Sequence, residues 1–263
     1  MKKILVFLFL FFAQNLFAQK TFTYGDFSYT INENNEITIT KYNGYSSSVN
    51  IPSVIDGKTV TTIGWIAFSY LDSLKSITIP NSVTTIEACA FSGCDSLTNI
   101  TIPDSVTIIG EKAFYYCDSL RSITIPNSVT TIGDEAFSSC DSLRSITIPN
   151  SVTTIGTYAF YDCDSLTSIK IPNSVSTIGE WAFSQCDLLR SITIPNSVTT
   201  IGTYAFFNCK SLTSITIPDS VISIGNYTFS DCNSLIIQCN PGSYAEKYCK
   251  KNNIKCLVTP DGL

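Results

Sequence analysis

Five aspartates, Asp95, Asp118, Asp141, Asp164 and Asp187, recur every 23 residues, each directly after a cysteine. A regular row of carboxylates is a pattern that can bind calcium. The cysteine row beside it (Cys94, Cys117, Cys140, Cys163, Cys186, Cys209 and Cys232) invites disulfide or metal chemistry. Other chemistry is excluded outright. The chain contains no histidine, so it can form no Ser-His-Asp triad, no Cys-His pair and no His-ligated zinc. The calcium reading is set against a plainer one, in which each aspartate side chain accepts a backbone N–H and caps the next turn. At a strand spacing of ~4.8 Å, neighbouring carboxylates in water repel by only about 0.8 kcal/mol, so a solvated row needs no metal. The cysteines fall in an apolar register with parallel Cβ vectors, which suits small core groups better than bridges. Cys89, Cys239, Cys249 and Cys256 lie off that row, and the last three leave room for one bridge. Their spacing of ten and seven residues is no zinc signature, and no metal or cofactor is expected.

The element that must carry these rows is a repeat. From Ser73 to Asn233 the chain runs in 23-residue blocks without insertion or deletion, and residues 117–133 recur letter for letter at 140–156. An earlier, imperfect unit, 51–72, carries five extra residues after Pro52. A 23-residue unit cannot bury its own apolar face, but stacked copies can share one core. In the unit 142–164, Leu143, Ile146 and Ile148 have the L-x-x-L-x-L spacing of a leucine-rich repeat strand. Ile146 and Ile148 are expected to point inward, with Ser145 and Thr147 outward. Pro149 ends the strand, Val152 and Ile155 cross back, and Gly156 is expected to supply a bend. Ala159, Phe160 and Cys163 then pack inward from a short helical or irregular turn.

The ends differ. Residues 1–18 combine Lys2 and Lys3, a short apolar run and Leu16-Phe17-Ala18, the three parts of a secretory signal peptide cleaved after Ala18. Removing them leaves 14 basic against 21 acidic residues, a net charge of −7. No later stretch is apolar enough to span a membrane, and an acidic chain offers no footprint to a nucleic acid. The expectation is an exported protein, secreted or associated with the cell surface. Residues 19–50 read as a β-hairpin cap, from 26–31 and 37–42, preceding eight repeats over 51–233. A C-terminal cap, 234–263, begins its helix with Ser243 and Glu246 at capping-box spacing and ends in a strand near 254–258.

The pattern SLTSITIPxSVTTIGxxAFxxCD, the opening VNIPSVIDGKTVTTIGWIAF and the ending GSYAEKYCKKNNIKC resemble the BspA-like leucine-rich repeat family. That resemblance covers about Phe27 to Val258. Glu87 replaces the bend glycine, Thr228 the alanine, and Leu71 stands at the cysteine position. The resemblance implies a mainly β repeat solenoid: a curved right-handed superhelix with parallel strands on its concave face, and an exported adhesion role.

Two surfaces vary enough to bind something. The outward strand positions carry Arg121, Arg144 and Arg190 with Lys170, Thr124, Thr147 and Thr193, a set suited to carboxylates or sulfates. The bland alternative is ordinary solvated polarity. Tyr158, Trp181, Tyr204 and Tyr227 occupy one repeat position on four consecutive turns, either as an exposed partner or sugar surface or as a shield over the core. The leading function is therefore a non-enzymatic binding module for an extracellular or host protein, or a glycan. The alternatives are a structural surface component without ligand, an ice-binding Ser-x-Thr array, which Lys170 and the arginines interrupt, and a glycan-active enzyme.

Overall fold

The computed structural model describes residues 20–259, so the proposed signal peptide lies outside the described residues. The chain winds as a mainly β solenoid whose turns are joined by three ladders.

The Ser-Ile-Thr strands form the first ladder. Ser48–Asn50, Ser76–Thr78 and Asn99–Thr101 pair in parallel, and Ser122–Thr124 begins a second run that continues through Ser214–Thr216 to Ile236–Cys239 and Cys256–Val258. Like residues sit opposite like residues, for example Ile123 beside Ile146 and Ile192 beside Ile215. The Thr-Ile strands form the second ladder, unbroken from Lys58–Ile63 to Ser223–Ile224. The turn segments around Ala-Phe form the third. Alternate amides there cross to the next turn: Glu135 N–H donates to Thr157 O (2.8 Å), Phe137 to Ala159 (2.9 Å) and Ser139 to Tyr161 (2.7 Å). The intervening amides close local turns, as Ala136 N–H does on Gly133 O at 3.2 Å.

This zigzag is neither helix nor strand. It requires left-handed backbone at two positions per turn, such as Glu135 (φ 55°) with Ser139 (φ 56°), and Tyr158 (φ 55°) with Asp162 (φ 58°). A non-glycine residue held there costs about 1–2 kcal/mol. Each such amide regains a hydrogen bond to the neighbouring turn.

The apolar set read from the repeat is the core: Leu143, Ile146, Ile148, Val152, Ile155, Ala159, Phe160 and Cys163 are all buried. At its centre eight phenylalanine rings stack from Phe68 to Phe229, with neighbouring centroids 5.3–5.6 Å apart. Both ends of that stack are closed by the caps. Tyr42, the last residue of the hairpin strand Ile37–Tyr42, stacks on Phe68 at 5.7 Å. Tyr248, on the helix Tyr244–Asn252, meets Phe229 edge-on at 6.1 Å. That helix starts as its sequence indicates: Ser243 Oγ accepts from Glu246 N–H, and Glu246 Oε2 accepts from Gly242 N–H. Asn253 ends it in the left-handed region (φ 55°). The five extra residues of the first unit are taken up by Val54–Ile55, folded antiparallel onto Lys58–Ile63 through Asp56 and Gly57, both at positive φ.

The bend glycines have a different reason from the expected one. Gly156 and Gly179 are not in the positive-φ region, where glycine alone is comfortable. They are glycine because adjacent turns touch there: a Cβ on Gly179 would sit 2.6 Å from the carbonyl carbon and oxygen of Gly156. Gly179→Ala should therefore destabilise by about 1–3 kcal/mol through overpacking. The expected thermal unfolding midpoint, followed by circular dichroism, is several degrees lower.

Candidate functional site

The cysteine row proves to be core, as its register implies. All seven thiols are buried, and each donates to the carbonyl of a phenylalanine in the preceding turn, as Cys163 does to Phe137 O at 3.1 Å and Cys186 to Phe160 O at 3.2 Å. Burial pushes the Cys94 and Cys140 thiols up to about 12, far from thiolate chemistry at neutral pH. The repeated serine of the Asn-Ser-Val turn works in the same way: Ser151 Oγ donates to Val129 O at 2.5 Å. The thiols, and the serines Ser105, Ser128, Ser151 and Ser174, each complete a backbone carbonyl of the preceding turn, whereas the Ser197 and Ser220 hydroxyls are buried without a partner.

The aspartate row departs from expectation. The ladder acceptor is the aspartate main-chain carbonyl, with Ser119 N–H bonding Asp95 O at 3.1 Å and Ser142 N–H bonding Asp118 O at 3.0 Å. The Asp118 carboxyl caps nothing, and its Oδ1 is buried without a partner. Burial raises the Asp118 carboxyl to about 6, with Asp141 and Asp95 adding to the shift. Asp95, Asp141 and Asp164 move the same way, burial first. Only Asp187 has a cationic partner in the row, Lys210 at 2.6 Å. Among the described residues no group of three or more Cys, Asp or Glu side chains stands where it could hold a metal ion.

The outward face of the Ser-Ile-Thr ladder gathers the predicted polar set. Thr124, Thr147, Lys170 and Thr193 lie side by side in register on four consecutive strands, and all are exposed. Arg121, Arg144 and Arg190 are exposed beside them, with Arg144 N–H bonded to Arg121 O at 3.0 Å. Four consecutive turns thus each present one cation: Arg121, Arg144, Lys170 and Arg190. At ~4.8 Å per turn the strip is about 14 Å long. None of the four is in an ion pair, although the chain is acidic overall. Next to its first member the ladder is interrupted between Asn99–Thr101 and Ser122–Thr124, which line a cleft of about 330 Å³. The unit before the break differs from the next one at Asn99 and Asp104, which stand where that unit has Ser122 and Asn127, and both line the cleft.

The aromatic positions come together as a second, outer stack. Ring centroids are 5.6 Å apart for Tyr158–Trp181, 4.1 Å for Trp181–Tyr204 and 5.1 Å for Tyr204–Tyr227, with planes within 16° of parallel. Tyr161 and Phe207 pack edge-on against it. The ring faces are therefore occupied by one another, and Tyr158, Trp181 and Tyr204 are half-buried while the terminal Tyr227 is 58% exposed. All four stand at the left-handed position of the turn (φ 55–57°). Two turns earlier the same position holds Lys112, paired with Glu111 and Glu135 at 3.0 Å each. A further exposed aromatic group on the first turn, Trp65 and Tyr70, stood outside the sequence reading because its unit is irregular. Larger clefts, of about 690 and 460 Å³, flank the C-terminal helix near Tyr227 and Tyr248, away from the cationic strip.

Ladders, glycine contacts and repeat length together define a leucine-rich repeat solenoid. The chain belongs to the BspA type leucine rich repeat region family, whose profile matches residues 37–167 and 153–256 with six copies. A leucine rich cell surface protein from Faecalibacterium prausnitzii is similar in structure at 27% identity and a TM-score of 0.57, over 94% of this chain and 96% of that one. A T. pallidum leucine rich repeat protein is similar at 29% identity and the same TM-score, over 92% and 100%. No curated protein matches. Among the described residues no helix is long and apolar enough to cross a membrane.

The raised carboxylates set a pH dependence. Asp118 binds its proton more tightly folded, at about 6, than unfolded near 3.9. Its favourable contribution is complete below pH 4 and is lost as pH rises through about 6. The protein should melt a few degrees higher at pH 5 than at pH 7 in thermal scans. Asp118→Asn should raise the pH 7 midpoint and flatten the difference.

Proposed function

We propose that this protein is an exported, surface-associated binding module without catalytic activity. It engages an extracellular partner, a protein or a glycan, through carboxylate or sulfate groups laid along Arg121, Arg144, Lys170 and Arg190. The observation that carries this reading is the unpaired state of those four cations on an acidic protein. Lys112, Lys210 and Lys250 are paired with carboxylates, whereas these four are unpaired and stand on consecutive turns of one face. Arg121, Arg144 and Arg190 each stand one residue before a ladder strand and Lys170 ends one, so their backbones are held at fixed spacing and less ordering cost remains when an array of anions binds. Export rests on the composition of residues 1–18, and the surface assignment agrees with the description of the Faecalibacterium relative. The outer aromatic stack is the weaker candidate, since its ring faces are already filled.

The test is a binding screen of the protein on a glycan array and a panel of extracellular-matrix proteins, repeated with Arg121, Arg144 and Arg190 all changed to alanine. Loss of three charge-assisted contacts should weaken a genuine partner at least tenfold, and raised salt should weaken the parent in the same direction. Binding that survives in the triple variant moves the site to Tyr227 and its neighbours. A blank across both panels favours a structural surface component.

A further inference from the structure

The seven core thiols each have a carbonyl to bond, but the C-terminal cap holds three that are arranged differently. Cys239 ends the strand Ile236–Cys239, and Cys256 begins the strand Cys256–Val258 that pairs beside it. Cys256 lies opposite Ile237 and Cys239 opposite Val258, so the two cysteines are diagonal neighbours across the pair. Their sulfurs touch at 3.0 Å, and the third thiol, Cys249 of the helix, is near enough to shift the titration of Cys256. Access differs among them: Cys239 and Cys249 are buried, whereas Cys256 is partly open to solvent.

We propose that Cys239 and Cys256 form a covalent modification site that closes to a disulfide in contact with a disulfide-class oxidant, while the seven ladder thiols stay reduced. The chemistry balances with oxidised glutathione. The Cys256 thiolate, as the accessible group, attacks one glutathione sulfur and releases one reduced glutathione, forming a mixed disulfide. The Cys239 thiolate then attacks the Cys256 sulfur and releases the second. Two thiols lose two protons and two electrons, and one glutathione disulfide becomes two thiols. The bond fastens Cys256–Val258, the end strand of the ladder among the described residues, to the preceding one. It also closes the loop that carries the capping helix. Cys249 is the competing partner, but it sits inside the helix, with its carbonyl accepting the amides that end it. Burial raises all three thiols above their ordinary range, Cys239 to about 12, so closure is slow without a catalyst and favoured by mildly alkaline pH.

The experiment equilibrates the full chain, purified under reducing conditions, with a glutathione redox buffer at pH 8. Free thiols are then trapped with a maleimide in denaturant, and the digest is mapped by mass spectrometry. The expected result is two of the eleven cysteines protected, in one linked pair of peptides containing Cys239 and Cys256. The oxidised form should also melt several degrees above the reduced form and resist trypsin at Lys250, Lys251 and Lys255. Cys256→Ser should abolish both differences, and Cys249→Ser should preserve them. A Cys239–Cys249 or Cys249–Cys256 link as the main product, a linked ladder thiol, or full labelling of all eleven cysteines would each overturn the proposal.

Discussion

The rings and thiols of the repeated core are completed by the turn beside them. A phenylalanine ring has no partner within its own unit and finds one 23 residues away, at 5.3–5.6 Å. Such ring pairs contribute about 0.5–1.5 kcal/mol each beyond the area they bury. The phenylalanine carbonyl is bonded by a thiol 26 residues on, and the valine carbonyl by a serine hydroxyl 22 residues on. The glycines let two backbones approach where a methyl group would collide. Take away one turn and its neighbour loses ring, thiol, hydroxyl and ladder partners together, which is why stability here is a property of the interface between units.

That dependence explains both the verbatim repetition and its exceptions. A position that meets its own copy on either side has the same solution in each turn. Where the copy changes, the residue changes and its hydrogen bonds change with it. Thr228 stands where other turns have alanine, and its hydroxyl donates to Gly202 O at 3.0 Å and Gly225 O at 2.9 Å. Glu87 stands where others have glycine, and its carboxylate accepts the Trp65 amide at 2.8 Å. The ends solve the remaining problem with tyrosines. Tyr42 and Tyr248 cover the first and last phenylalanine, each belonging to a cap whose backbone extends a ladder.

The same logic separates core from function. Inward positions are held constant by contact with their copies, while outward positions meet solvent and are free to differ from turn to turn. The cationic strip occupies such free positions, with Lys170 at the end of a ladder strand and the three arginines each immediately before one. The aspartate row shows the opposite case. It is repeated, yet its carboxyls gain nothing from one another and are pushed up by burial. What the repeat uses there is the main-chain carbonyl of that residue.

The period, the inward set, the hairpin and helix caps and the core register of the thiols were all legible in the sequence. Each follows from spacing within one unit, from the alternation of a strand or from the Ser243–Glu246 interval. The tertiary structure decided what depends on the distance between units. It assigned the glycines to close approach, turned the aromatic stripe face to face, opened the ladder after Thr101 and set Cys239 against Cys256. It also placed Tyr158 and Trp181 in left-handed backbone, which no propensity favours for such residues. The physical reason is the same in every case. A residue's type records what it can bury, but the separation and orientation of two copies 23 residues apart exist only once the turns have stacked.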